Sequence, residues 1–228
     1  MAAVIGHVYN GSQKPLREQP ARRSINAIGM SDTPIYANIL AEKLSYRNTY
    51  LHTDPHLDLC DPDSIGKYSD LDLVICSEVI EHTKDPPVVV LGNMLRMLRP
   101  GGVLILSAPT YRMAETIEWY PGATSVRVVE NGSGLHVEWK TIRGVDYVDT
   151  APNFHGGPGD VLEMRIISHS SLLNAAKACG FEADTLEFDA ARGYDWPIVP
   201  EYPGLDAEMD GRILVLRRKR RWVSYVLG

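Results

Sequence analysis

The chain is short of the residues that staple or anchor a protein. Its 228 residues include three cysteines, Cys60, Cys76 and Cys179. None stands in a Cys-x-x-Cys pair, so no disulfide framework is indicated and reduced thiols are expected. No apolar run approaches the length of a membrane span, and the N-terminus lacks the succession of a signal peptide. Positive charge is also in deficit: 23 Lys and Arg stand against 29 Asp and Glu, a net charge of −6. A general nucleic-acid binder needs a basic surface, so that class is set aside. The expectation is a cytoplasmic protein with neither a membrane nor a nucleic acid among its partners.

What is present reads as α/β. Apolar residues make up 44% and charged residues 23% of the chain, ordinary values for a globular protein. At 228 residues it fits one α/β domain, with room for an inserted subdomain, and can bury a substantial core. The organising stretch runs from Asp70 to Pro109. Leu71–Cys76 is nearly all apolar, the pattern of a parallel strand covered on both faces. Val88, Leu91, Leu95 and Leu98 recur at helical spacing, and Pro100-Gly101-Gly102 is expected to stop that helix. Val103–Leu106 is a second buried strand. Strand, helix and strand make a βαβ unit. Ligands meet such sheets at the carboxyl ends of strands, so Ser77–His82 and Ala108–Arg112 face the expected site.

The segments DLVICSEVIEH (72–82) and LRPGGVLILSAPT (98–110) resemble the second half of the class I S-adenosylmethionine (SAM)-dependent methyltransferases. Those proteins carry a hydrophobic fourth strand, an E(V/L)xEH turn and a (L/K)(R/K)PGG turn before the fifth strand. The resemblance implies a doubly wound, mostly parallel Rossmann-like sheet, with a small antiparallel β insertion after the fifth strand. It implies SAM as cofactor, lying over Ser77 and Glu78. Asp32, read as the acid that ends the second strand, falls at the ribose, and Asp54 or Asp58 near the adenine. Asp32 as a mere helix cap is the competing reading. The expected reaction is methyl transfer to a small-molecule acceptor, with a sugar or natural-product hydroxyl favoured; a homo-oligomer is left open. The family's Gly-rich turn has no GxGxG counterpart here, Gly6 and Asn10-Gly11-Ser12 being nearest. A degenerate methyltransferase fold without SAM activity, either a binding partner or a metal-binding enzyme of another kind, is therefore the alternative.

Residues 1–24 read as an arm and 25–228 as the methyltransferase-like domain, with an insertion at about 111–160. Ser24–Asp32 is a strand, and Thr33-Pro34 opens a helix over Ile35–Leu44. Arg47–His52 is strand-like. Ser125–Glu130 and Leu135–Thr141 flank Asn131-Gly132-Ser133-Gly134, a hairpin signal, and Val145–Thr150 extends it. The aromatic residues there, Trp139 and Tyr147 among them, are read as the hairpin's own core rather than a pocket lining. Leu162–Ile167 is a strand, Ser168 caps a helix ending at Gly180, and Phe181–Phe188 pairs with Arg212–Arg217. A proline-rich excursion over Asp189–Gly211 is placed over the site. The basic run Arg217–Arg221 reads as a solvated end.

Glu78, Glu81 and His82 stand at i, i+3 and i+4, one face of a helical turn if Glu78 begins it. Two carboxylates and an imidazole on one face suit a divalent metal once a fourth group closes the site. His155, in the glycine-rich run Asn153–Asp160, is chosen as that fourth ligand. Some methyltransferases with this turn hold a divalent ion there. Without a metal, His82 or His155 is the general base for an acceptor hydroxyl. His82 bonded only to a backbone carbonyl is the structural alternative. Asp54, His56 and Asp58 alternate as on one strand face, and a metal site there is the weaker rival.

Overall fold

Side chains of β3 (Leu71–Ser77) alternate between two cores. Val74 and Cys76 belong to one buried cluster, and Leu73 and Ile75 to the other. Burial on both faces is what a continuous apolar run demands, and each such aliphatic side chain contributes about 1.5–3 kcal/mol. The computed structural model describes residues 5, 6, 8, 14–132, 134–186, 202, 205–210 and 212–220.

The elements that frame β3 come in alternation. Before it are β1 (Asn26–Met30), α1 (Pro34–Lys43) and β2 (Ser45–Thr49). After it come α2 (Pro87–Met97), β4 (Leu98–Ser107), α3 (His169–Cys179), β5 (Phe181–Leu186) and β6 (Ile213–Arg218). They make one six-stranded sheet in the order β5-β6-β4-β3-β1-β2. Pairs β1/β2, β1/β3 and β3/β4 are parallel, whereas β6 runs antiparallel to both β4 and β5. The sheet is doubly wound: α2 and α3 contribute Val90, Leu91, Met94 and Leu172 to one core, and α1 adds Tyr36 and Leu40 to the other. Ile5 and Leu16 of the N-terminal arm pack into the α1 side. Asn10-Gly11-Ser12 and most of 189–211 lie outside the described residues.

Several local expectations are corrected. Pro100-Gly101-Gly102 does not stop the helix; α2 has ended at Met97, and the three residues lie within β4. Leu98 pairs with Leu71, and the register shifts before Leu73 pairs with Val103. Gly102 is required there, since a Cβ would stand 2.7 Å from the Leu71 carbonyl oxygen. Leu162–Ile167 divides into Val161–Leu162 and Arg165–Ser168, broken at Glu163-Met164. Ser168 caps α3 by accepting from the Ser171 amide, and Gly180 closes it in the left-handed conformation.

The insertion holds an antiparallel sheet of Ala123–Asn131, Gly134–Thr141 and Asp146–Asp149. Tyr120, Val137 and Met164 form its small core, with Trp139 packed against them. Trp139 stacks on Tyr147 at 4.7 Å. Among the described residues no helix is long and apolar enough to cross a membrane.

Candidate active site

The strand order reverses between β1 and β3: the chain continues from β1 outward to β2, and from β3 outward to β4. The crevice beyond the carboxyl ends at such a point is where open α/β sheets bind ligands. A cavity of about 330 Å³ lies there. Met30 at the end of β1, Ser31 after it, Leu57 to Cys60, and Val79 and His82 after β3 line it.

One side of the crevice is the turn from β1 to α1. It follows the first strand of the sheet, not the second, so Asp32 is not the acid ending a second strand. Gly29 to Pro34 stands where the family's glycine turn was expected upstream, between the first strand and its helix. Ser31 takes φ +55°, a conformation that glycine adopts freely. Asp32 is 4% exposed and folds over Gly29, whose added Cβ would fall 1.8 Å from its Oδ2. Tyr36 donates to Asp32 Oδ1 at 2.6 Å and Tyr46 to Oδ2 at 2.6 Å. Asn48 accepts from the Asp32 amide at 3.0 Å and donates to its carbonyl at 2.8 Å. Burial raises the carboxyl pKa of Asp32, and the two tyrosine bonds pull it back. Both oxygens already accept one bond each from within the fold, so Asp32 holds its own turn together.

The opposite side is the turn after β3. Glu78 has φ +54° and precedes the 3₁₀ turn Ile80–His82, so it leaves the face that helical spacing assigned to it. Its Oε1 accepts from Ser107 at 3.0 Å, and Ser77 and Ser107 hydroxyls meet at 2.9 Å. Burial pushes the Glu78 carboxyl up to about 7.

Glu81 does stay with His82. It is 1% exposed, and neither carboxylate oxygen has a hydrogen-bond partner. Burial first, then the Glu78 charge, raise its pKa well above the carboxylate range. His82 Nδ1 lies 2.9 Å from the Leu162 carbonyl. A carbonyl only accepts, so Nδ1 carries the proton and Nε2 presents a lone pair, 3.6 Å from Glu81 Oε1. His155 lies edge-on to His82 with ring centroids 5.6 Å apart. One ligand atom from each of Glu81, His82 and His155 falls within 4.8 Å of the others. Glu163 adds a second buried carboxylate, 3.9 Å from His155 Nδ1, and accepts from the Tyr202 hydroxyl.

A family model described as a methyltransferase domain matches residues 54–186, more than half of the chain. The chain belongs to the class I SAM-dependent methyltransferases. No curated protein matches its sequence at a significant level. Among solved structures it is similar to DesVI of Streptomyces venezuelae, at 13% identity and TM-score 0.49 over 96% of this chain and 91% of that one. An amino pentose methyltransferase from Micromonospora echinaspora, solved with SAM, gives 14% identity and TM-score 0.44 over 95% and 97% of the two chains. Burkholderia thailandensis 1,6-didemethyltoxoflavin-N1-methyltransferase, solved with S-adenosylhomocysteine, gives 14% and 0.41 over 96% and 76%.

The crevice of this methyltransferase fits the adenosine part of SAM. Met30, Leu57, Leu59 and Val79 give it apolar walls, and Asp58 lines it as the nearby acid. Asp58 holds its loop by accepting from the Cys60 amide at 2.8 Å. Asp54, the other candidate, is exposed and does not line the cavity. Ser77 and Glu78 stand at the carboxyl end of β3 but outside the cavity lining. The Glu81–His82–His155 group fits a divalent cation, because a buried carboxylate without a partner and an imidazole lone pair face one another. Glu78 is not in that group, and neither is any member of the Asp54–His56–Asp58 alternation.

Glu163 and Arg165 went unrecognised in the sequence. The signal available was two opposite charges inside a strand-like run of Leu, Met and Ile.

Proposed function

We propose that this methyltransferase carries a methyl group from SAM to a hydroxyl of a small acceptor, a sugar or natural product. The observation behind the reading is the double position of His82, in the crevice wall and in the cluster with Glu81 and His155. SAM supplies an electrophilic methyl on a sulfonium. Asp58 and the Ser31 backbone are proposed to hold its adenosine end in the crevice, at the carboxyl end of β3. His82 Nε2 takes the hydroxyl proton as the acceptor oxygen bonds to the methyl carbon; the C–S electron pair stays on sulfur. Burial lowers the pKa of His82, which keeps the ring a neutral base near pH 7. The turn places that nitrogen beside the crevice, and alignment away from water supplies much of the rate.

In the alternative arrangement Glu81, His82 and His155 would hold a divalent ion, with Glu163 instead of Glu78 as the fourth group, and His82 Nε2 is then a ligand and not the base. Such an ion supplies a positive charge that lowers the pKa of a bound hydroxyl. His155 is the alternative base.

One observation favours a second reading. Asp32 fills the surface of Gly29 with a carboxylate already bonded twice. A fold that has given up SAM would show this. Transfer of labelled methyl from SAM to a panel of hydroxylated small molecules decides. Label in an acceptor, lost in His82→Ala, is the expected result; no SAM binding at all supports the second reading.

A further inference from the structure

Arg165 is among the largest fully buried side chains, at 1% exposure. A charge in that position costs desolvation energy, which stability alone would not require, since apolar residues can fill such a site as well. Its partners show where the guanidinium is used. Across paired strands it faces Glu118, and Nε donates to both carboxylate oxygens at 2.9 and 3.0 Å. Nη1 donates to the Ile80 carbonyl at 2.8 Å and to Thr83 Oγ1 at 3.0 Å. Nη2 donates to the Asp85 carbonyl at 3.1 Å. One planar fork thus grips residues 80–85 at both ends, with His82 between.

The backbone beside Arg165 holds the same turn. The Met164 amide donates to the Glu81 carbonyl at 2.9 Å, and Leu162 offers the carbonyl that orients His82. The other side of the turn is open: Val79, His82, Thr83 and Lys84 face the crevice. Beyond the turn's own bond from the His82 amide to the Val79 carbonyl, the contacts that hold His82 from behind come from residues 162–165 and, through Glu118, from the insertion.

We propose that Arg165 is a positioning residue for methyl transfer, setting His82 Nε2 against the crevice and tying that setting to the Glu118 strand. It rests on His82 being the base. N–H donors held in one fixed plane do this; a lysine ammonium reaches fewer of the same oxygens and without the planar constraint.

Arg165→Met, Arg165→Lys and Glu118→Gln test it. The measurements are folded fraction by thermal melting, S-adenosylhomocysteine affinity by calorimetry, kcat and KM, and the ¹⁵N shifts of His82. In Arg165→Met, kcat of the folded protein falls by about 10–100-fold with affinity unchanged, the scale of losing a supporting contact. The His82 shifts move from a single Nδ1–H tautomer toward a mixture. Arg165→Lys recovers part of both, and Glu118→Gln shows a smaller loss of the same kind. A folded Arg165→Met protein with wild-type kcat and an unmoved His82 spectrum overturns the proposal. If Arg165→Met does not fold, wild-type kcat and spectra in the other two variants overturn it. Should the wild type bind no S-adenosylhomocysteine, the methyl-transfer reading fails, while the His82 shifts still report whether Arg165 holds the ring.

Discussion

The two turns that face each other across the crevice treat a buried carboxylate in opposite ways. After β1, Asp32 has every oxygen bonded, by Tyr36 and Tyr46 on the side chain and Asn48 on the backbone. After β3, Glu81 is more deeply buried, and neither of its carboxylate oxygens has a partner. A buried polar group without a partner costs free energy, so a native chain keeps one where something else completes it. The difference separates a turn closed on itself from the turn that carries the proposed site, where Glu81, His82 and His155 come together.

Substitutions sharpen that contrast. His82→Ala, on the open side, has the largest expected effect. It removes the proposed base and lowers methyl transfer by about 10²–10⁴-fold, while stability falls by only about 1 kcal/mol for the lost bond to Leu162. Turnover and urea unfolding on one preparation check both halves. Asp32→Ala, on the closed side, reverses the weighting. Two tyrosine hydroxyls lose their acceptor, and stability falls by about 2–4 kcal/mol in urea unfolding. An unchanged midpoint would show that the closed turn is not structural.

Glu78 gives a pH-dependent effect. Its folded pKa, about 7, is above the ordinary carboxylate value of 4.5, so the native state binds the extra proton between these limits. Stability from this group is full below about pH 4.5 and is lost as pH rises toward about 7. Glu78→Gln should flatten the wild-type profile across that window, a difference on the order of 2 kcal/mol. A parallel profile in the variant would contradict the assigned burial.

Glu81→Gln has the smallest effect on stability. No hydrogen bond is lost and a buried ionisable group is removed, so stability holds or rises by up to about 1 kcal/mol. A clear fall would mean that Glu81 is already paired in the native protein and would erase the contrast with Asp32.

The sheet was largely legible because its signals are local. Apolar runs at Leu71–Cys76 and Val103–Leu106, joined by one helix, became adjacent parallel strands, and Ser168 and Gly180 marked both ends of α3. The site was legible only in part, because it depends on pairing and on single backbone angles. Which strand Asp32 ends is decided by β1 lying between β2 and β3, a long-range fact absent from any window of sequence. Glu78 has the right spacing, but φ +54° turns it toward Ser107. Glu163 and Arg165 reach the site across some eighty residues of chain, from a run whose local pattern says only strand.

The central claim is that the open turn and the crevice beside it form one site, with His82 shared between them. Calorimetric titration with S-adenosylhomocysteine, with and without a divalent ion, tests it most directly. One equivalent of S-adenosylhomocysteine is predicted to bind, and any ion that the wild type binds is lost in Glu81→Gln without loss of the nucleoside ligand. Heat from neither ligand in the folded wild type, or ion binding unaffected by Glu81→Gln, would contradict it.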